Sequence, residues 1–497
     1  MSAVSYLDLL RLTLPEIVIV LGALTALSLD LLAMRQSRLA VRWRAGAAVA
    51  CISCVGAIVL LLVRPEQASL SDGMLVVTPL TQLVQAVLIV FTILTVLLSV
   101  CSTFTHHVGE YLAVILFATA AMMLLVSTQN LLMVFAALEL LSLSLYILTA
   151  FNKRSRQSAE AALRYFLFGG MSAAFLLFGI SLLYGFSGSI NLVEIAAAIQ
   201  AQPATPMLAI AMVMTVTGFG FKVAAAPFHL WAPDAYQGAP TPSAAFIASS
   251  SKVSSFFVFA VVMVTGLAAG VGSGGWHGHG AGWVPVLTMV AALSMLLGNL
   301  AALVQSSVRR LLAYSAIGHA GYMLLGILPH NAPSLRALLY YVITYALAAI
   351  GAFGVLAALE DEGVDRLEDF AGLYRRAPLL SCCMLIFLLS LAGIPPLAGF
   401  FAKFSIFSSA LAVRSEDPGL LWLVVLAIAM SAVSLYYYLK VLKQIYVCEP
   451  SAEVGAIRSR GAARAAVGVI ALLVVLLGCF PNLLLGWIDG AMRAMPH

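Results

Sequence analysis

Residues 131–150 read LLMVFAALELLSLSLYILTA, twenty positions with one charge, Glu139, near the middle. A helix needs ~20 apolar residues to cross ~30 Å of hydrocarbon. A membrane-barrel strand needs only ~10, with strict alternation. Length and the lack of alternation predict a transmembrane helix here, with a carboxylate inside it. Glu139 stands nine positions past Asn130, ~13 Å along a helix at 1.5 Å per residue.

Runs of the same kind fill the rest of the chain. They lie at about 12–33, 43–63, 80–104, 111–127, 130–151, 159–185, 206–231, 242–268, 283–304, 309–328, 335–359, 378–411, 420–447 and 464–488. This pattern predicts an all-α integral membrane protein of about 14 transmembrane helices. Composition agrees: 62% of the 497 residues are hydrophobic and only 9% are charged, where a soluble domain carries ~25% charged residues. The net charge of +5 is therefore not a nucleic-acid footprint. The first apolar run lacks a basic leader and a small-residue cleavage site, so it is expected to stay as a helix.

Basic residues orient the chain. If the helices alternate, one side holds Arg35, Arg38, Arg42, Arg44, Lys153, Arg154, Arg156, Arg164, Arg309, Arg310, Arg366, Arg375, Arg376, Arg458, Arg460 and Arg464. The other side holds Arg11, Arg64, Arg336, Arg414 and Arg493. The richer side is cytoplasmic by the positive-inside rule, and both termini then face outward.

Two runs carry helix breakers. FKVAAAPFHLWAPDAYQGAPTP contains Pro227, Pro233 and Pro240, and LAGIPPLAGFFAKF contains Gly393, Pro395, Pro396 and Gly399. Proline removes a backbone donor and clashes with the preceding turn. In lipid, such breaks are tolerated only where protein or water satisfies the freed groups. Non-helical backbone is expected near Val223–Pro227 and Gly393–Gly399, enclosed by protein or water. A lysine lies beside each break: Lys222 and Lys403. Lys252 is ten positions past Pro242, ~15 Å deep by the helical rise. Paired interrupted segments mark repeat-built transporters with a site at mid-membrane.

An ionisable residue at that depth costs ~2.5–3.5 kcal/mol or more and marks an ion or proton pathway by default. The alternative is that Glu139, Lys222, Lys252 and Lys403 merely tie helices together as buried ion pairs. One carboxylate for three amines leaves two amines without a partner, which favours a hydrated proton path. His319, in AYSAIGHAGYMLLG, is a candidate relay between lysines. His229, Asp234 and Tyr236 flank the first break, where they either feed protons or satisfy freed backbone groups. Lys440 and Lys443 in YYYLKVLKQIY are read as snorkelling, with their tyrosines as an interfacial belt. Glu16 and Asp30 bracket the first run as interfacial residues. The seven cysteines are read as small buried hydrophobes. His277 and His279, in a Gly-rich stretch, are read as loop residues in preference to a metal site. No metal or redox cofactor is expected in this chain.

ALELLSLSLYIL, GFKVAAAPFHLWAPDAYQGAPTP, SSSKVSSF, LLAYSAIGHAGYMLLG and GIPPLAGFFAKF, in this order, closely resemble the antiporter-like subunits of respiratory complex I, the proton-pumping NADH:quinone oxidoreductase, and among them the N type. M-type chains look different, with a glutamate where Lys403 stands. L-type chains carry a long lateral helix at the C-terminus, whereas this sequence ends soon after its last run. The resemblance implies two inverted five-helix repeats, at 111–268 and 269–447, between an N-terminal three-helix segment, 1–110, and a C-terminal helix, 448–497. It implies a proton path through Glu139, Lys222, Lys252 and Lys403. It also implies a bacterial inner-membrane location and neighbouring membrane-arm subunits as partners. NADH, flavin, iron–sulfur clusters and quinone would belong to partner subunits, so the quinone pool is reached only indirectly. The rival reading is a subunit of a multisubunit cation/proton antiporter; a Na⁺ site there would favour more membrane carboxylates than Glu139 alone. A non-pumping scaffold is the second rival.

Overall fold

A computed structural model describes residues 6–63, 67–70, 72–100, 102–275, 278–360, 363–411, 419–449 and 461–493. Arg64, Arg414, Arg458, Arg460, His277 and the side chain of His279 lie outside this description.

Ten helices among the described residues are long and apolar enough to cross a membrane. They are α1 (Leu14–Ala33), α2 (Leu39–Val63), α3 (Pro79–Ser99), α4 (Val108–Val126), α5 (Leu131–Thr149), α6 (Arg156–Ser187), α8 (Thr241–Gly266), α9 (Trp283–Leu303), α11 (Ala332–Ala358) and α14 (Leu421–Tyr446). Other apolar runs form shorter helices, α7 (Pro206–Lys222), α10 (Val308–Leu324), α12 (Pro378–Ala392) and α13 (Ala398–Leu411), and the last begins with α15 (Gly461–Cys479). The last run, read as one span over 464–488, bends by 75° into α16 (Asn482–Arg493). Pro481 sits at this bend, and the residue before a proline is driven out of the helical region.

Local signals set the helix starts. Asn130 accepts from the amides of Leu132 and Met133 to begin α5, and Ser155 caps α6. Thr78 and Thr81 form a reciprocal capping box at α3, as Asn331 and Ser334 do at α11. These partners satisfy amides that a helix start leaves free. Two connections differ from plain loops. β1 (Ala68–Leu70) pairs antiparallel with β2 (Leu75–Val77), and in the Gly-rich stretch β3 (Ser273–Gly275) pairs with β4 (Gly278–Gly280).

α8 and α11 are the most enclosed spans, while α1, α2, α6 and α14 lie at the periphery. Large apolar side chains such as Ile52, Leu62, Phe178 and Ile428 point outward from the peripheral helices, as a lipid-facing surface requires. At the core, α9 and α10 approach backbone to backbone. A Cβ on Gly298 would lie 2.3 Å from the amide nitrogen of Gly318, so only glycine fits, as at small-residue contacts between membrane helices. This contact fixes the helix that carries His319.

Arginines from separate connections gather at one end. Arg164 on α6 and Arg310 on α10 both bind Asp234, and Arg309 approaches Glu360 and Asp365. Elsewhere, Arg336 on α11 holds Asp489 on α16 at 2.8 Å.

Glu16 and Asp30, read from the sequence as interfacial residues, are covered by neighbouring helices of the chain. Each is buried, at 5% and 4% exposure. Packing against α3 covers Glu16, and Arg42 on α2 covers Asp30. The tyrosine belt also needs correction: Tyr436 is exposed, but Tyr437 and Tyr438 are fully buried in the core. Lys443 is exposed and Lys440 is half-buried. Cys54 and Cys383 are buried, whereas Cys382 and Cys479 are exposed on the surface of this chain.

Candidate proton-transfer site

Lys222 is the last residue of α7. The chain then leaves the helix over Val223–Leu230 before a short helix, Trp231–Gly238. Ala224 adopts a left-handed φ of 57° within this turn. The freed backbone groups find side-chain partners: the Trp231 indole donates to the Phe221 carbonyl at 3.0 Å, and the Ala226 amide donates to Ser294 Oγ at 2.8 Å. Val223–Ala226 are buried, but Pro227 and Leu230 reach the surface of the chain.

The second break runs from Gly393 to Leu397, between α12 and α13. It is shorter than expected, because Gly399 is already helical. Pro395 and Pro396 are exposed, so this break also opens onto the surface on one side. Here Lys403 itself supplies the missing donor. Its ammonium donates to the freed Ala392 carbonyl at 2.9 Å and to Ser431 Oγ on α14 at 2.8 Å.

A third interruption was not legible in advance. The span α8 breaks at Ser249, with φ −114° and ψ −82°, three residues before Lys252. The Lys252 ammonium donates to the Ala316 carbonyl on α10 at 2.6 Å. Every one of the three lysines is therefore buried beside a discontinuity in a helix.

Glu139 and Lys222 do not close an ion pair in this structure. The Lys222 ammonium donates instead to Ser142 Oγ at 2.5 Å, one turn along α5 from Glu139. Glu139 is only partly buried and stands toward the edge of this chain. Ser142 was missed, although its i+3 spacing from Glu139 on one helical face was visible.

His319 on α10 lies between the other two lysines. Tyr341 Oη is 2.9 Å from its Nδ1 and Tyr438 Oη is 3.2 Å from its Nε2. Lys252 lies 5.5 Å from the Tyr345 ring centroid and Lys403 lies 5.2 Å from that of Tyr322. Both rings pack on the imidazole, at 4.9 Å and 5.7 Å. Tyr438 also shares a short hydrogen bond with Ser315. A titratable ring with a hydroxyl at each nitrogen, set between two amines, can accept and donate protons in turn.

His229 and Asp234 lie apart from this group. His229 Nδ1 is buried without a hydrogen-bond partner. Both Asp234 oxygens are engaged, by Arg164 at 2.5 Å and Arg310 at 2.8 Å. A polar cavity of about 200 Å³, lined by Gln157, Glu160, Arg164, Asp234, Gln237 and Arg310, opens there. Among the described residues, no group of three His, Cys, Asp or Glu is placed to hold a metal ion.

Gly393 makes the Lys403 geometry testable. Its φ is 89°, and a Cβ there would lie 3.0 Å from Lys403 Cδ and 3.5 Å from Nζ. We expect Gly393→Ala to displace the ammonium and, on the proton path that the resemblance implies, to lower proton translocation by the assembled protein. Gly363→Ala is the control: φ is 70° with nothing within 4 Å, so it carries the left-handed strain of ~1–2 kcal/mol without the contact. Equal pumping by the two variants would show that the Gly393 contact does not position Lys403.

The family described as NADH:quinone oxidoreductase/Mrp antiporter, transmembrane, matches residues 128–432. A chain from Acidobacterium capsulatum named NADH-quinone oxidoreductase subunit N 2 is 58% identical over 499 residues, covering 98% of this chain and 100% of that one. A chain of respiratory complex I from Thermus thermophilus, solved with bound aureothin, is 34% identical with a TM-score of 0.77, covering 95% of this chain and 98% of its own. A chain of the Mrp complex from Dietzia sp. DQ12-45-1b shares the fold at a TM-score of 0.80 and 20% identity, covering 97% of each. With a near full-length relative that names subunit N and a family match across the helices that carry the lysines, this chain belongs to the NADH:quinone oxidoreductase/Mrp antiporter transmembrane family, on its subunit N branch.

Proposed function

We propose that this chain is a proton-translocating membrane-arm subunit N of an NADH:quinone oxidoreductase. Protons pass along Glu139, Lys222, Lys252, His319 and Lys403, driven by redox chemistry in partner subunits that hold NADH, flavin, iron–sulfur clusters and quinone. The observation that carries this reading is the burial of three lysines, each beside a helix discontinuity, with His319 and its two tyrosine hydroxyls between the second and third. The multisubunit antiporter reading shares the fold, but among the described residues no second carboxylate joins Glu139 beside the lysines.

The Glu139–Lys222 pair is open in this arrangement. Rotation of the lysine from Ser142 toward Glu139, one turn away, would close it. Opposite charges ~4 Å apart interact by ~4 kcal/mol even at an effective dielectric of 20, enough to hold or release a proton as the pair closes or opens. The polar cavity at Asp234 would serve as the cytoplasmic opening. Fourteen membrane crossings, inverted repeats over 111–268 and 269–447, outward termini and a bacterial inner-membrane location complete the proposal. Neighbouring membrane-arm subunits and lipid would cover the exposed prolines and Glu139.

Two experiments test it. Purification of the tagged chain in mild detergent should bring down an assembly with NADH:quinone reductase activity; antiporter subunits in its place would overturn the assignment. In a cysteine-depleted background, Ser155→Cys should react only with reagents that enter the cell, and Ser273→Cys should react from outside. Outside labelling of position 155 would reverse the topology.

A further inference from the structure

Glu16 lies outside both proposed repeats and takes no part in the lysine path. It is buried at the start of α1. One oxygen, Oε1, accepts from Gln85 Nε2 on α3 at 2.7 Å, while Oε2 is buried with no hydrogen-bond partner. The same amide nitrogen lies 2.9 Å from Ser127 Oγ and 3.2 Å from the Met123 carbonyl. Its two hydrogens face three acceptors, so Glu16 shares this donor with Ser127 and Met123.

No ion pair relieves Glu16 among the described residues. α3 carries no charged residue. α2 carries none between Arg44 and Arg64, and its titratable groups there are Cys51 and Cys54. α4 contributes Glu110 and Tyr111 at its opposite end. The short helix Tyr6–Leu12 contributes Asp8 and Arg11. A buried carboxylate without a paired cation is costly to keep ionised. A metal ion is a poor alternative occupant, since hard cations take six or so oxygens and only one carboxylate and one hydroxyl meet here.

A small cavity reaches Gln85, the donor to Glu16. Its volume is about 30 Å³, room for at least one water, and it is lined by Arg11, Leu12, Pro15, Leu61, Gln82 and Gln85. It adjoins the β1–β2 pair, whose Val76 amide donates to the Ser127 carbonyl at 2.7 Å. We infer that Glu16 is a proton-binding carboxylate of the N-terminal segment, exchanging its proton with the outward side through this cavity, separately from the lysine path. Its orientation follows the topology proposed above; its chemistry does not depend on it.

Infrared difference spectroscopy during pH perfusion of the purified, assembled complex tests this. The wild-type complex should lose a protonated-carboxyl band on alkalinisation, and that band should be missing in Glu16→Gln. In Gln85→Leu the band should persist with its midpoint displaced by about one pH unit, the worth of one hydrogen bond. Lys222→Arg should leave the band in place, so failure of the lysine path and failure of this site are distinguishable. Carboxyl bands in Glu16→Gln identical to wild type would overturn the inference. Should Glu16→Gln fail to assemble, an unchanged midpoint for every carboxyl band in Gln85→Leu would overturn it equally.

Discussion

Lys403→Arg should assemble normally and pump almost no protons, with translocation falling by roughly a hundredfold or to background. The Lys403 ammonium performs two jobs. It satisfies the Ala392 carbonyl freed by the break, and it bonds Ser431. Alanine would remove both the titrating group and the backbone donor, so a defect in Lys403→Ala would mix lost chemistry with lost structure. Arginine keeps donors for both acceptors but stays protonated at any accessible pH. It therefore separates the roles. Lys222→Arg applies the same test at the other end of the path, where the amine bonds Ser142. Lys443→Ala, on an exposed side chain, should pump as wild type does. The measurement is proton uptake into inverted vesicles, normalised to assembled complex. Normal pumping by both arginine variants would leave the lysines with a purely structural role.

The parts of this molecule that were legible in the sequence are those that lipid constrains directly. Apolar run length set the helices, because a span must cover the hydrocarbon. Proline and glycine marked the breaks at Pro227 and Gly393, because their backbone restrictions do not depend on neighbours. The break at Ser249 carries no such residue and stayed hidden. So did the faces of the helices. A soluble helix turns its apolar stripe inward, whereas a membrane helix is apolar on every side, and polarity no longer tells inside from outside. Tyr437 and Tyr438 looked like a belt at the interface, yet they close on Ser315, His319 and Asn299 in the core. Ser431 became visible only when α13 and α14 were placed together. Glu16 and Asp30 sit near run ends, where water would ordinarily reach them; Gln85 and Arg42 cover them from helices that no local pattern pairs with α1.

Arg42→Leu should destabilise the N-terminal three helices by about 3–5 kcal/mol, the cost of leaving a buried charge unpaired. Arg42 grips Asp30 with two parallel bonds, Nε to Oδ1 and Nη2 to Oδ2, each 2.6 Å. The Gly109 amide on α4 adds a third at 2.9 Å. Three helices thus meet on one carboxylate, at the π-helical turn Leu29–Ala33 that ends α1. Gly109 is required for this approach, since a Cβ there would lie 2.6 Å from Asp30 Cβ. Asp30→Leu removes the charge that needs pairing and leaves Arg42, which is more exposed than Asp30, free to reach water, so it should cost less than Arg42→Leu. Asp30→Leu combined with Arg42→Leu should recover much of the single Arg42 loss, because replacing both members of a buried pair by apolar groups is often close to neutral. Thermal unfolding and yield of assembled complex report the result. A double variant as damaged as the sum of the two singles would mean that the pair does not act as a unit, and that the junction of α1, α2 and α4 is held by packing around Trp43 and Tyr111.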